Sequence, residues 1–258
     1  MAEAIADRHA ILGRRVLIGL SGAQGSGKST MAPRIAALLA ERGFQATVLA
    51  LDDFYLPRAA RTVLAREVHP LLATRGVPGT HDIALLGSAI DDLLAGGSAT
   101  CPRFDKASDD RTGEVRVGGP VDAVILEGWC IGASAQSAEE LAEPLNALER
   151  EEDPDATWRR WVNDRLVSEY KDLFERLDLR VFLRAPDFTV VAKWRGEQEA
   201  HLGVRGMSTA AIKRFIAHYE RLTRAMLSGE PADFVIDLDT ARRPTALRRM
   251  SAAVPPHS

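Results

Sequence analysis

Residues 17–39 read "LIGLSGAQGSGKSTMAPRIAALL", an apolar run that breaks into small residues and resumes with apolar positions at helical spacing. The break fits G-x-x-x-x-G-K-[ST], with Gly22 first, Gly27 second, then Lys28 and Ser29. Glycines admit positive φ and remove side chains that would hold a ligand away from the backbone. The bared backbone of Gly22, Ala23, Gln24, Gly25, Ser26 and Gly27, running on through Lys28, Ser29 and Thr30 into the positive end of a helix, can cradle phosphate oxygens. Lys28 would then reach the β- and γ-phosphates, and the Ser29 hydroxyl would ligate Mg²⁺. A tight strand-to-helix turn with a solvated lysine would carry the same letters, so the flanks decide. Arg15–Ser21 reads as a buried strand through Val16, Leu17, Ile18 and Leu20. Lys28–Glu41 reads as a helix with Met31, Ile35, Leu38 and Leu39 on its apolar face and Gly43 just past its end. Strand, loop and helix follow in the order a phosphate-binding loop requires.

The rest of the chain narrows the class. Its 258 residues suit one large α/β domain or two small ones, and 46% hydrophobic residues allow a substantial core. A formal charge of −3 and a pI near 6.1 give no electrostatic footprint for nucleic acid. No apolar run approaches the ~20 residues of a membrane span. The N-terminal "MAEAIADRHAILGRR" has early acidic residues and no long apolar stretch, unlike a secretory signal, so the expected compartment is the cytoplasm. Cys101 and Cys130 are expected as free thiols, and the six histidines show no metal-ligand spacing.

Strand-like runs recur at Thr47–Leu51, Val121–Glu127, Leu179–Leu183 and Phe234–Leu238, alternating with helical patterns. That alternation predicts an α/β fold with a mostly parallel central sheet and helices on both faces. Pro57 to Gly119 reads as an insertion beside the site, with two weak helices and a loop rich in Pro, Gly, Asp and Arg. The tail "AAVPPHS" is expected to be disordered.

In open parallel sheets, ligands bind beyond the carboxyl ends of the strands. Asp52 and Asp53 follow "TVLAL", and Glu127 follows "VDAVIL". Glu127 stands where an acid could hold Mg²⁺ directly or through water, with a helix cap or surface acid as the alternative. Asp52 is the candidate general base for an acceptor hydroxyl, and Asp53 is expected to point elsewhere. No N-K-x-D stretch of the kind that reads guanine is present.

"RGVPGTHD" and "CPRFDKASDDR" supply His81, Arg103, Lys106 and Arg111 as candidates for binding a small anion, since arginine grips a carboxylate through parallel hydrogen bonds. A solvated mixed-charge surface, or a helix cap at "THD", would read the same. Trp129 in "LEGWC" is expected either to wall the substrate pocket or to pack beneath a loop. "VVAKWRGEQEAHLGVRGMS" places Lys193, Arg195 and Arg205 around glycines, as a lid whose arginines neutralise a transferring phosphoryl group or as a helix of i,i+4 charge pairs. Trp158, Trp161, Tyr170, Phe174, Phe215 and Tyr219, at helical spacing, are expected as core.

With those residues in order, the chain resembles the plant-type D-glycerate 3-kinases and their bacterial relatives, P-loop kinases akin to uridine kinase, phosphoribulokinase and pantothenate kinase. The matching stretches are "GAQGSGKST", "LDDFYL", "RGVPGTHD", "FDK", "VILEGWCIG", "LNALE", "WRGEQE" and "FIAHYERLT", running from about Ile18 to Asp239. The resemblance implies a three-layer P-loop NTPase-type fold and a single kinase domain over 1–258, with an acceptor-site insertion at about 57–119 and a lid at about 187–207. It implies ATP-dependent phosphorylation of D-glycerate to 3-phosphoglycerate with Mg²⁺. Lys28, Asp52, Glu127 and Arg195 are then catalytic, and Arg205 joins the loop in holding nucleotide. Ser29 and Glu127 hold metal, while Asp52, Tyr55, His81, Arg103, Lys106 and Trp129 meet the hydroxy acid. The alternatives are another hydroxylated acceptor, such as a nucleoside or pantothenate-like compound, or an ATP-binding regulator with no small acceptor.

Overall fold

The computed structural model describes residues 1–201, 208–229 and 232–250. Its strands are β1 (Val16–Gly22), β2 (Ala46–Ala50), β3 (Ala99–Asp105), β4 (Asp110–Val117), β5 (Ala123–Gly128), β6 (Leu179–Arg184), β7 (Phe234–Leu238) and β8 (Pro244–Arg249). The helices are α1 (Ala2–Leu12), α2 (Lys28–Ala40), α3 (Arg58–Glu67), α4 (Ile83–Leu94), α5 (Ala138–Ala142), α6 (Ala147–Glu152), α7 (Thr157–Val167), α8 (Glu169–Glu175), α9 (Phe188–His201) and α10 (Thr209–Gly229).

Every residue of β1 is buried, as the middle strand of a doubly covered parallel sheet must be. The main sheet runs β2-β5-β1-β6-β7-β8, parallel except for β8, which returns antiparallel on β7. Alternate residues of the strands feed two cores. Leu17, Val124, Leu126, Phe182 and Val235 pack against α4, α8 and α10 on one face. Val16, Ile18, Leu20, Ile125, Val181 and Leu183 pack against α1, α2 and α9 on the other. From β1 the chain crosses to β2 on one side of the sheet, while β6 flanks β1 on the other. The crevice at the carboxyl end of β1 is therefore the switch point where ligands bind in such sheets.

The expected strands and the α/β class are observed; three local expectations change. On α2, Ala32, Ile35 and Leu39 are buried, but Leu38 is 45% exposed. The helical spacing that runs from Trp158 to Phe174 is not one helix: it is interrupted at Ser168, between α7 and α8. The stretch "CPRFDKASDDR" is no loop: it forms most of an antiparallel hairpin, β3–β4, with Lys106 to Asp109 at its tip. Asp105 folds that tip by accepting from the backbone N–H groups of Ala107 and Ser108, and Asp109 takes a left-handed φ of 56°. Polar residues suited to turns hid the strand alternation. The tail at 252–258 lies outside the described residues. No helix among the described residues is long and apolar enough to cross a membrane, and Cys101 and Cys130 are free and buried.

The hairpin hangs on a buried arginine. Arg61 of α3 is 1% exposed, and its guanidinium donates to the carbonyls of Leu56, Ala73 and Asp109 and to the Asp109 carboxylate at 2.9 Å. One cation thus ties α3, the Ala73 turn and the hairpin tip together. Arg61→Met would leave several of these acceptors unmade, each costing about 1–3 kcal/mol when buried. Urea unfolding should show a loss of about 3 kcal/mol or more; a loss under about 1 kcal/mol would mean that the hairpin is held some other way.

Candidate active site

Three strand ends converge at the switch point. Gly22 closes β1, and Asp52 lies two residues past β2 in a 3₁₀ turn over Leu51–Phe54. Glu127, near the end of β5, sits in register with Leu20 on one side and Ala50 on the other. Parallel pairing thus delivers one carboxylate from β5 and another from the loop after β2 to the start of α2.

The glycine loop is shaped by its neighbours. Gly25 has φ 77°, and a Cβ there would lie 2.7 Å from the Trp194 Cβ on α9, so only glycine fits. A Cβ on Gly22 would meet Ser26 Oγ and Leu183. Within the turn, the Ser26 N–H donates to the Ala23 carbonyl, and the Thr30 N–H donates to that of Gly27 as α2 begins. The Lys28 ammonium is buried and donates to the Ala23 carbonyl at 3.0 Å. Burial lowers its pKa, while Glu127 and Asp52 push the other way. The Ser29 hydroxyl donates to Glu127 Oε1 at 2.7 Å. Burial raises the Glu127 pKa, with Lys28 and Ser29 opposing. A hydroxyl and a carboxylate in contact beside phosphate-binding amides fit Mg²⁺, which takes one or two protein oxygens and completes its shell with phosphates and water.

Across the cavity, both oxygens of Asp52 are engaged. The Tyr55 hydroxyl donates to one at 2.7 Å, and Lys106 at the hairpin tip donates to the other at 2.6 Å. Burial works to raise the Asp52 carboxyl, but Lys106 and Tyr55 overcome it and hold the group well below the usual carboxylate range.

Lys28, Ser29, Asp52 and Glu127 line one open cavity of about 590 Å³, together with Gln24, Gly25, Tyr55, Lys106, Trp129 and Arg195. Trp129 is buried, and its indole N–H donates to the Gly76 carbonyl at 2.8 Å. Arg195 reaches the cavity from α9 with its guanidinium 4.9 Å from the Phe215 ring centre. The first half of the expected lid is anchored, because Val191 and Trp194 are fully buried. Glu197, four residues past Lys193, pairs with Arg242 at 2.6 Å. Arg205 and the glycines at 203 and 206 lie outside the described residues.

Two expected substrate contacts stand back from the cavity wall. His81 stacks on Tyr55 at 4.7 Å and shares a 2.6 Å hydrogen bond between Nδ1 and the Tyr170 hydroxyl, so it supports Tyr55 from behind. Arg103 is 57% exposed and donates to Asp53 at 2.9 Å, which also accounts for Asp53. Arg111 donates to the Tyr55 carbonyl and to Asp82, the N-cap of α4.

Four residues near the site escaped the sequence reading. Arg75, Phe215 and Tyr219 line the cavity. Arg242, at φ 65°, donates to the Gly25 carbonyl at 2.7 Å and lies over Trp194. Arg75 had a signal, an arginine directly before a glycine turn in "RGVPGTHD". Tyr219 was read as core and is buried, yet its hydroxyl end reaches the Arg75 carbonyl at 2.8 Å.

The family described as "Methylmalonyl Co-A mutase-associated GTPase MeaB" matches residues 2–60, the segment that holds the phosphate loop and the Asp52 turn. The chain is 32% identical to the uncharacterized kinase mug58 of Schizosaccharomyces pombe, over 80% of this chain and 79% of that one. It is 27% identical to the chloroplastic D-glycerate 3-kinase of Arabidopsis thaliana over 89% of its own length, and spans about half (54%) of the plant protein. Its fold matches the D-glycerate 3-kinase structure from Cryptococcus neoformans with a TM-score of 0.81 and 24% identity, covering 96% of this chain and 97% of that one. Relatives that are kinases along most of this chain make it an ATP-dependent phosphotransferase with a hydroxyl acceptor. The chain belongs to the P-loop kinase family that includes these fungal and plant kinases.

Burial pushes His81 down to about 4, with Asp52 opposing, and burial likewise takes His218 to about 4. Both rings are thus neutral when folded and bind protons more readily when unfolded. Their contribution is full above pH ~6.5 and is lost as pH falls toward ~4, each by up to about 3 kcal/mol. His81→Gln should flatten the fall in Tm between pH 6.5 and 4; an unchanged slope would mean that His81 is protonated in the folded chain.

Proposed function

We propose that the chain transfers the γ-phosphoryl group of ATP, with Mg²⁺, to the 3-hydroxyl of D-glycerate, giving 3-phosphoglycerate and ADP in the cytoplasm. The observation that carries this reading is the single cavity in which Asp52 faces Lys28, Ser29 and Glu127 while Arg75, Lys106 and Arg195 add positive charge. Such a balance favours an anionic acceptor over a nucleoside. The name of the plant relative supports glycerate in particular.

In this mechanism the backbone of Gly22–Thr30 and the Lys28 ammonium hold the phosphates. Ser29 and Glu127 would hold Mg²⁺, which when bound neutralises charge on the transferring group. The acceptor hydroxyl displaces Lys106 from Asp52 and gives that carboxylate its proton. Its oxygen bonds to the γ-phosphorus as the bond to the ADP oxygen breaks. Tyr55 keeps the Asp52 carboxylate oriented, and Arg195 offsets negative charge as it spreads. The domain reading follows: one kinase domain, with residues 57–119 forming the acceptor side and the segment from about 187 bearing Arg195.

ADP release from Mg-ATP should rise strongly with D-glycerate and only slightly with L-glycerate, pantothenate or uridine. Stimulation by a different compound would replace the acceptor, and hydrolysis indifferent to all of them would favour a regulator. Asp52→Asn should cut kcat by about 10²–10⁴ while leaving ATP affinity nearly unchanged; loss of ATP affinity with turnover kept would make Asp52 a nucleotide or metal ligand. Lys28→Ala should abolish transfer, and unchanged turnover would discard the phosphate-loop assignment.

A further inference from the structure

We propose that Arg75 grips the carboxylate of the acceptor and so sets the site's preference for a hydroxy acid over a neutral alcohol. The proposal rests on the kinase reading above and adds the residue that would select the substrate class.

The backbone at Arg75 is over-determined. Its carbonyl accepts from the Tyr219 hydroxyl of α10. The next residue, Gly76, gives its carbonyl to the Trp129 indole and its N–H to Thr80 Oγ1 at 2.8 Å. Gly76 stands at φ 120°, where a Cβ would lie 1.9 Å from the Tyr219 hydroxyl. Side chains from α10, from the loop after β5 and from the turn itself therefore fix where this arginine starts. That is the preorganisation a binding cation needs.

Its guanidinium lies on the acceptor side of the cavity. It sits 5.4 Å from the Phe104 ring centre, and the same ring meets Tyr55 edge-on at 5.0 Å. Tyr55 in turn donates to Asp52, so one aromatic ring separates the cation from the candidate base's own partner. Arg75 pairs with Asp109, but buried Arg61 holds that same carboxylate and cannot leave it. Arg58 reaches it too at 4.0 Å, so three arginines share one carboxylate and the cluster brings net positive charge to the cavity that Arg75 lines. The other basic residues of this region have different duties: Arg103 holds Asp53, Arg111 holds backbone and Asp82, and Lys106 covers Asp52. A planar guanidinium opposite a carboxylate base is suited to hold an acid group at one end of a short acceptor while the hydroxyl at the other end meets Asp52.

The test compares D-glycerate with its neutral isostere D-glyceramide in the full chain and in R75M, R75K and D109N. In R75M, KM for D-glycerate should rise about ten- to a hundredfold, the loss expected for a charge-assisted pair. KM for ATP and for glyceramide should stay within about twofold, so the preference for the acid collapses. R75K should keep part of that preference, because it keeps the charge. D109N, which breaks the same ion pair without touching the acceptor, should keep it all. The proposal is overturned if R75M still prefers glycerate to its amide, or if D109N loses the preference equally. If D-glycerate were inert but another hydroxy acid were used in an Arg75-dependent way, the glycerate reading would fall and this inference would stand. If R75M used D-glycerate as the wild type does, the inference would fall and the reading would stand.

Discussion

A buried ammonium governs this molecule. Lys28 stands at the first turn of α2, where the helix end already carries partial positive charge, and it is 8% exposed. A charge so placed must be met by carbonyls, carboxylates or a bound anion, because burial without partners is costly. The chain meets it with the Ala23 carbonyl and with the fields of Glu127 and Asp52. Those acids can be close only because β5 lies between β1 and β2, so that consecutive parallel strands bring their ends to one edge. Sheet order and site electrostatics are thus a single constraint.

Opposite the phosphate loop, arginines do structural work that aliphatic residues do elsewhere. Arg61 binds three backbone carbonyls, Arg159 donates to the carbonyls of Leu141, Ala142 and Asp153, and Arg221 holds Glu149 together with the carbonyls of Glu140 and Glu143. Irregular segments leave carbonyls without sheet or helix partners, and a guanidinium with five donors can satisfy several at once. This is how a long stretch with little regular structure is kept firm beside the cavity. It also explains why charge in this region is a poor guide to ligand contact.

That distinction marks what the sequence revealed. The phosphate loop, β1 and α2 were legible because their chemistry depends on spacing along one strand–turn–helix unit, and Asp52 and Glu127 because each stands at the carboxyl end of an apolar strand run. Lys106 and Trp129 were named, and the fold brings both to the cavity. His81 and Arg103 had the same outward signature as Lys106, yet their neighbours in space assign them to Tyr55 and Asp53. No local pattern separates these cases, since the deciding partners are 26 to 50 positions away along the chain. The hairpin was missed for a related reason: its strands carry turn-forming residues, and its apolar face is short, with Ala99 and Cys101 in the core and Val115 and Val117 against it, while Arg61 and Asp53 hold the far end.

The short stretch "YERLT" shows how such long-range placement can still leave a local trace. On α10, Tyr219 turns its hydroxyl to the Arg75 carbonyl and its ring edge to Trp129. Glu220 accepts from Asn146, whose own side chain caps α6, and Arg221 closes on Glu149 of that helix. Leu222 is buried in the core beneath. Successive residues of one helix thus brace the arginine turn, the tryptophan wall and α6 in different directions. A helix needed only for packing would tolerate many apolar substitutions on its buried face. One that must set a hydroxyl, a carboxylate and a guanidinium at fixed angles would tolerate few, and Tyr219 does this while its own side chain lines the cavity.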